Sequence, residues 1–133
     1  MNDIDIIKIV ERNIFLNVLE LSDIEFQKKA WFGQYKNYVS SYSELMCQLF
    51  DDNMYGELFI KQYAESLGYS LSFVKKLQTL SLKLKNFNKD ELLSDIEIIN
   101  DPSWHEISKI AKVIIQEWPH LAEIINNITH RSP

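Results

Sequence analysis

Glycine and proline are scarce in this sequence: three of each among 133 residues, with two of the prolines in the last fifteen positions. That is too few for the tight primed turns that join antiparallel strands, which argues against a sheet as the main architecture. Cysteine occurs once, at Cys47, so no internal disulfide and no thiolate metal cluster can form, and the usage fits a reducing cytoplasm. No run of about 18 apolar residues occurs, and MNDIDIIKIVERN at the N-terminus has neither a basic leader nor a small-residue cleavage site. These absences lead to the expectation of a cytoplasmic protein with no membrane partner. His105, His120 and His130 lack the i, i+4 spacing that places two imidazoles on one helix face. A phosphate-binding glycine loop, a G-x-S-x-G elbow and a triad are likewise missing. Neither a metal, a cofactor nor a catalytic residue is expected, and the chain reads as a non-enzyme.

What is present is acidic and helical. Nineteen acidic against fourteen basic residues give a net charge of −5, which disfavours nucleic acid and favours a basic partner. The charge is uneven: residues 1–60 hold ten acidic and five basic side chains, 61–90 two and six, and 91–133 seven and three. The middle is thus a basic island between acidic flanks. The length corresponds to one domain, 1–133, large enough to bury about two-thirds of its unfolded surface without staples.

Apolar residues recur at helical spacing throughout, predicting an all-α, single-domain bundle of six to seven helices. The first helix, 3–20, is capped by Asn2 or Asp3. Its apolar residues wrap most of the circumference, which predicts a central, buried helix. Ser22 with Glu25 and Ser41 with Glu44 have the S-x-x-E form of a capping box, starting a second helix that stops near Gly33 and a third through Phe50. Between them, 34–40 has no helical period and reads as a connection. A fourth helix ends at Gly68, and a fifth, after Ser70, carries the seam Phe73, Leu77, Leu80, Leu84, Phe87. Asn88 with Glu91 suggests a short start running to Ile99. Asp101-Pro102 then opens a long helix whose seam, from Trp104 to Ile125, crosses Pro119 in phase, so one proline-kinked C-terminal helix is predicted. Whether the two seams meet each other or a second copy is left open, and with it the oligomeric state.

Cys47 lies in the apolar run LMCQLF, which predicts a buried, inert packing thiol. Asp51 and Asp52 close that helix, where each opposes the helix dipole by about a few tenths of a kcal/mol, and they lack a structural reason of their own. YAESLGYSLSFVKKL at 63–77 resembles the helix-turn-helix of DNA-binding repressors, with Ala64, Gly68 and Val74 at its small, turn and branched positions. That alternative, covering 63–80, would present Ser72, Lys75, Lys76 and Thr79 to a major groove.

Two further stretches, SSYSELMCQLFDDN at 40–53 and NDPSWHEISKIAKVIIQEW at 100–118, make up about a quarter of the chain. They contain a Tyr42-x-Glu44-Leu45 helix start, a segment ending in paired aspartates, and Asp101-Pro102-x-Trp104 leading a helix to Trp118. Together they resemble the helical immunity proteins of bacterial contact-dependent growth-inhibition systems. The resemblance implies a protein that binds and neutralises a cognate C-terminal toxin domain, with a tRNA-cleaving or other nuclease as the default. An acidic face suits the basic cleft of such a toxin. The same resemblance puts toxin contacts at Glu44, Asp51, Asp52 and Glu57, with Tyr55 as an aromatic anchor.

Overall fold

The computed structural model describes residues 3–36, 39–87 and 93–131. Among these residues the secondary structure is helical, with no strand, and comprises eight helices: α1 (Asp3–Leu21), α2 (Ile24–Trp31), α3 (42–52), α4 (55–66), α5 (Leu71–Phe87), α6 (Asp95–Asn100), α7 (Pro102–Glu117) and α8 (Leu121–Arg131). The all-α bundle expected from the periodicity is therefore present.

Local chemistry sets most of the helix boundaries. Ser41 caps α3 by accepting from the Glu44 N–H at 3.0 Å, and Ser70 caps α5 in the same way through Phe73. At α7, Asp101 accepts from the Ser103 N–H at 2.8 Å and Pro102 occupies the first helical position. Gly33 and Gly68 both adopt positive φ, ending α2 and α4 as left-handed caps. Two expectations shift. Asp23, not Ser22, caps α2 by accepting from the Phe26 N–H at 2.9 Å, while the Ser22 hydroxyl turns back to donate to the Leu19 carbonyl. The pair Asn88 and Glu91 lies outside the described residues, and a complete capping box at Ser94 and Glu97 starts α6.

The predicted kink at Pro119 is a break. Proline disfavours the α conformation in the residue before it, and Trp118 has ψ 126°. His120 then takes φ 58°, so α8 leaves in a new direction. The placement of α1 also differs from expectation. Ile4 and Ile6 near its start are exposed, as are Leu16 and Leu19. The central element is α7, with α1 and α5 both packed against it. The two seams meet within the chain: Phe87 lies against Trp104 and Phe73 against Trp118, with ring centroids 5.2 and 5.4 Å apart.

Each end of α7 anchors an aromatic cluster. Trp104 is fully buried among Trp31, Tyr42 and Phe87, and Trp118 sits among Phe15, Tyr69 and Phe73. Such pairs contribute about 0.5–1.5 kcal/mol each beyond area burial. A buried indole N–H also needs an acceptor, and all three tryptophans find one on the first two helices. Trp118 donates to Glu11 at 3.3 Å, Trp31 to Glu20 at 3.1 Å and Trp104 to Gln27 at 2.8 Å. Gln27 is itself completely buried, its amide nitrogen donating to the carbonyls of Glu20 and Leu21 at the end of α1. One side chain thereby ties together α1, α2 and α7.

Replacing Gln27 with Ala strands the Trp104 N–H and the Leu21 carbonyl, while the Glu20 carbonyl keeps its bond from the Asp23 N–H, and each stranded buried group costs about 1–3 kcal/mol. Gln27→Ala is expected to lower the urea midpoint by the equivalent of about 3 kcal/mol with the slope unchanged. A loss below about 1 kcal/mol would show that the Trp104 link is dispensable.

Candidate functional site

The helix that carries the candidate carboxylates changes type part-way along. After one ordinary turn at Tyr42–Met46, α3 widens into a π-helix over Cys47–Asp52, closed by the Asn53 N–H donating to the Gln48 carbonyl at 2.9 Å. The chain then passes through Met54 in the left-handed region, φ 48°, and re-enters a π-helix over Tyr55–Tyr63. A non-glycine residue in that conformation costs about 1–2 kcal/mol. The wide turn sets the geometry of the site. With bonds closing five residues on, positions i+4 and i+5 fall on either side of residue i, so Asp51 and Asp52 flank Cys47 where an α-helix would separate them.

Cys47 is exposed, which corrects the expectation of a buried packing thiol. Tyr42, Leu45, Met46 and Leu49 form the inward face of α3, and at helical spacing Cys47 falls on its opposite side. Its pKa is raised, first by desolvation, then by its hydrogen bond to Asp51 and by the negative charge of Asp51, Asp52 and Glu44. All three carboxylates are exposed and close enough to the sulfur to act on it, so they form one acidic edge. Among the described residues no lysine or arginine lies within ion-pair distance of any of them. Glu44 accepts from the Gln48 amide at 3.1 Å, which aligns it along the helix.

Tyr55 does not belong to this edge. It is completely buried, its hydroxyl donating to the Leu77 carbonyl at 2.7 Å and its ring packed against Phe50 and Phe59. It is a core residue holding α4 to α5, and the anchor role expected of it is corrected accordingly. The side chain of Glu57 lies outside the described ones.

The residues of the DNA-binding alternative are spread along α5. Ala64 is buried, Gly68 makes a left-handed turn, and Ser72, Lys75 and Thr79 are exposed, with Thr79 donating to the Lys75 carbonyl. Lys76 is ion-paired with Glu117 of α7. Leu71 and Leu82 also stand exposed on this helix.

Two grooves border the acidic edge, each of about 690 Å3. The first, between α3, α5 and α6, takes in Cys47, Asp51 and Asp95 together with Lys85. The second, between α1, α2 and α3, takes in Asp52, Asp23 and a chain of amides in which Asn53 donates to Asn17 at 2.8 Å and Asn17 to Gln48 at 3.0 Å. Sequence reasoning passed over Asn13, Asn17, Leu16 and Leu19 of this groove, and the repeat of asparagine four residues apart on α1 was the available signal. Among the described residues, no three His, Cys, Asp or Glu side chains are grouped to hold a metal ion, and no helix is long and apolar enough to cross a membrane. No protein-family model matches the chain, and neither a curated protein nor a solved structure is significantly similar to it.

The arrangement makes two outcomes measurable. Like charge disfavours the thiolate, so alkylation of Cys47 by iodoacetamide should have a rate–pH midpoint above that of a free cysteine, and D51N/D52N should lower that midpoint. An unchanged midpoint would mean the carboxylates do not act on the sulfur. The second outcome concerns the buried tyrosines. Burial holds Tyr55 and, with the Glu11 charge, Tyr69 protonated well above the ordinary tyrosine range. An unfolded tyrosine ionises near pH 10, so this stability is fully present below about pH 10 and is lost above it, at about 1.4 kcal/mol per pH unit for each tyrosine. Urea unfolding between pH 9 and 11 should display that decline, and Tyr69→Phe should roughly halve its slope. A flat profile would contradict the assignment.

Proposed function

We propose that this chain is an immunity protein that binds and neutralises the toxin domain of a contact-dependent growth-inhibition system, acting in the cytoplasm by binding and not by catalysis. The observation that carries this reading is the acidic edge. Glu44, Asp51 and Asp52 converge on the surface around Cys47, and among the described residues none of them is within ion-pair distance of a lysine or arginine. Three like charges held together this way are unfavourable for the isolated protein, and a basic partner relieves the repulsion. A nuclease toxin must carry a positive cleft for its nucleic acid, so the edge can steer its approach and occupy or flank that cleft. The two stretches that resemble the immunity family supply α3, which carries the edge, and α7, on which the bundle is assembled.

A helix-turn-helix regulator is the second reading. The left-handed turn at Gly68 followed by exposed Lys75 on α5 favours it, and the neutralisation of Lys76 by Glu117 weighs against it. Loss of low-salt duplex retention in K75E/K76E would support that reading over the first.

The direct test is co-expression with the toxin domain encoded immediately upstream. Rescue of growth is expected, together with a one-to-one complex. E44Q/D51N/D52N should slow association by about tenfold at low salt, with the difference shrinking as salt rises. Failure to rescue cells from any neighbouring toxin domain would remove the proposal.

A further inference from the structure

The paired aspartates at the end of α3 diverge, and their surroundings are not equivalent. Asp51 lines the groove that contains Lys85, where a cation already stands near the carboxylates. Asp52 lines the groove between α1, α2 and α3, and among the described residues lining that groove there is no lysine or arginine. Its polar lining is made of carboxylates and amides alone. Its apolar lining includes Leu16 and Leu19, exposed by 39% and 41% on the outer face of α1, with Phe26 opposite. The bundle leaves these two leucines in water although α1 turns Phe15, Asn17 and Val18 into its interior.

The amides give this groove a fixed wall. Asn17 is buried and held between Gln48 and Asn53, so the two amides that flank Asp52 are already ordered by hydrogen bonds to α1. A surface that is ordered before binding loses little conformational freedom when a partner arrives. Apolar contact at the centre with charge at the rim is also the usual anatomy of a binding hot spot.

We propose that the groove between α1, α2 and α3 is the docking surface for a basic amphipathic segment of the toxin domain. An apolar side chain of that segment packs on Leu16 and Leu19, and its flanking lysines or arginines meet Asp52 and Asp23. The choice of occupant follows from charge complementarity, because a lining with carboxylates and without cations attracts a basic segment and repels an acidic one. The groove is continuous with the acidic edge through Asp52, so steering and apolar docking fall on adjoining surface. The identity of the partner rests on the toxin-binding reading; the location and chemistry of the groove do not.

The test has two arms. In the first, the 15N-labelled protein is titrated with a Lys/Leu amphipathic peptide and, separately, with a Glu/Leu peptide of the same length. Amide shifts confined to residues around Leu16, Leu19 and Asn53 with the basic peptide only are expected, and they should vanish in L16K/L19K. Shifts centred on α5, or spread evenly over the surface, overturn the groove. In the second arm, L16K/L19K should bind the upstream toxin domain about thirtyfold more weakly than the wild type, whereas L71K/L82K, altered on the exposed face of α5, should bind as the wild type does. Wild-type affinity in L16K/L19K overturns the groove and leaves the toxin reading standing. No binding by the wild type removes the toxin reading, and the peptide arm then decides the groove alone. A wild-type dimer that L16K/L19K dissolves assigns the groove to a second copy and overturns the proposal. All four leucines are exposed, and matching urea midpoints confirm that the variants fold.

Discussion

Burying an indole is favourable only when its N–H has an acceptor inside the protein, and this chain buries three. The acceptors, Glu11, Glu20 and Gln27, all come from the α1–α2 hairpin, while Trp104 and Trp118 come from the two ends of α7. The bonds fix where the hairpin sits along α7, because a shift of even one helical turn would leave donors and acceptors unpaired in a dry interior. The aromatic clusters around Trp104 and Trp118 then set the position of α5 through Phe87 and Phe73. Glu11 also receives the Tyr69 hydroxyl, which ties the turn after α4 to the same frame. A few directional bonds thus specify an arrangement that apolar contact alone would leave free to slide.

Within that frame the two π-helical segments are the local departures that matter. Each widened turn rotates the following side chains away from α-helical phase. At α3 the rotation brings Asp51 and Asp52 to either side of the exposed Cys47, near Glu44 of the preceding turn. Across the left-handed residue Met54, α4 places Tyr55 and Phe59 in the interior beneath that edge. The buried Tyr55 hydroxyl bonds to the backbone of α5, so the edge stands on a supported floor. Uncommon backbone conformations of this kind concentrate at functional sites, where surrounding packing holds them in place.

The charges of the molecule are sorted by this packing. Lysines of the basic island occupy the outer face of α5, where Lys76 is already neutralised by α7. Asp52 of α3 and Asp23, the cap of α2, border a groove whose described lining carries no lysine or arginine. In the proposed complex this division would orient a basic partner, and the exposed leucines of α1 would give that orientation something apolar to hold.

Sequence alone determined what depends on neighbours in the chain. The all-helical class, the caps at Ser41, Ser70 and Asp101-Pro102, the left-handed stops at Gly33 and Gly68, and the seams of α5 and α7 follow from local hydrogen bonding and from the 3.6-residue period. Glu44, Asp51 and Asp52 were legible as surface charge for the same reason. Tertiary structure decided the rest. An apolar period records that a face is buried but not what buries it, so α1 looked central when α7 is. A seam that stays in phase across Pro119 does not reveal that Trp118, restricted by the proline and held by Glu11, ends the helix there. The exposure of Cys47 and the burial of Tyr55 depend on which face of each helix the rest of the bundle covers, which the residues around them do not specify.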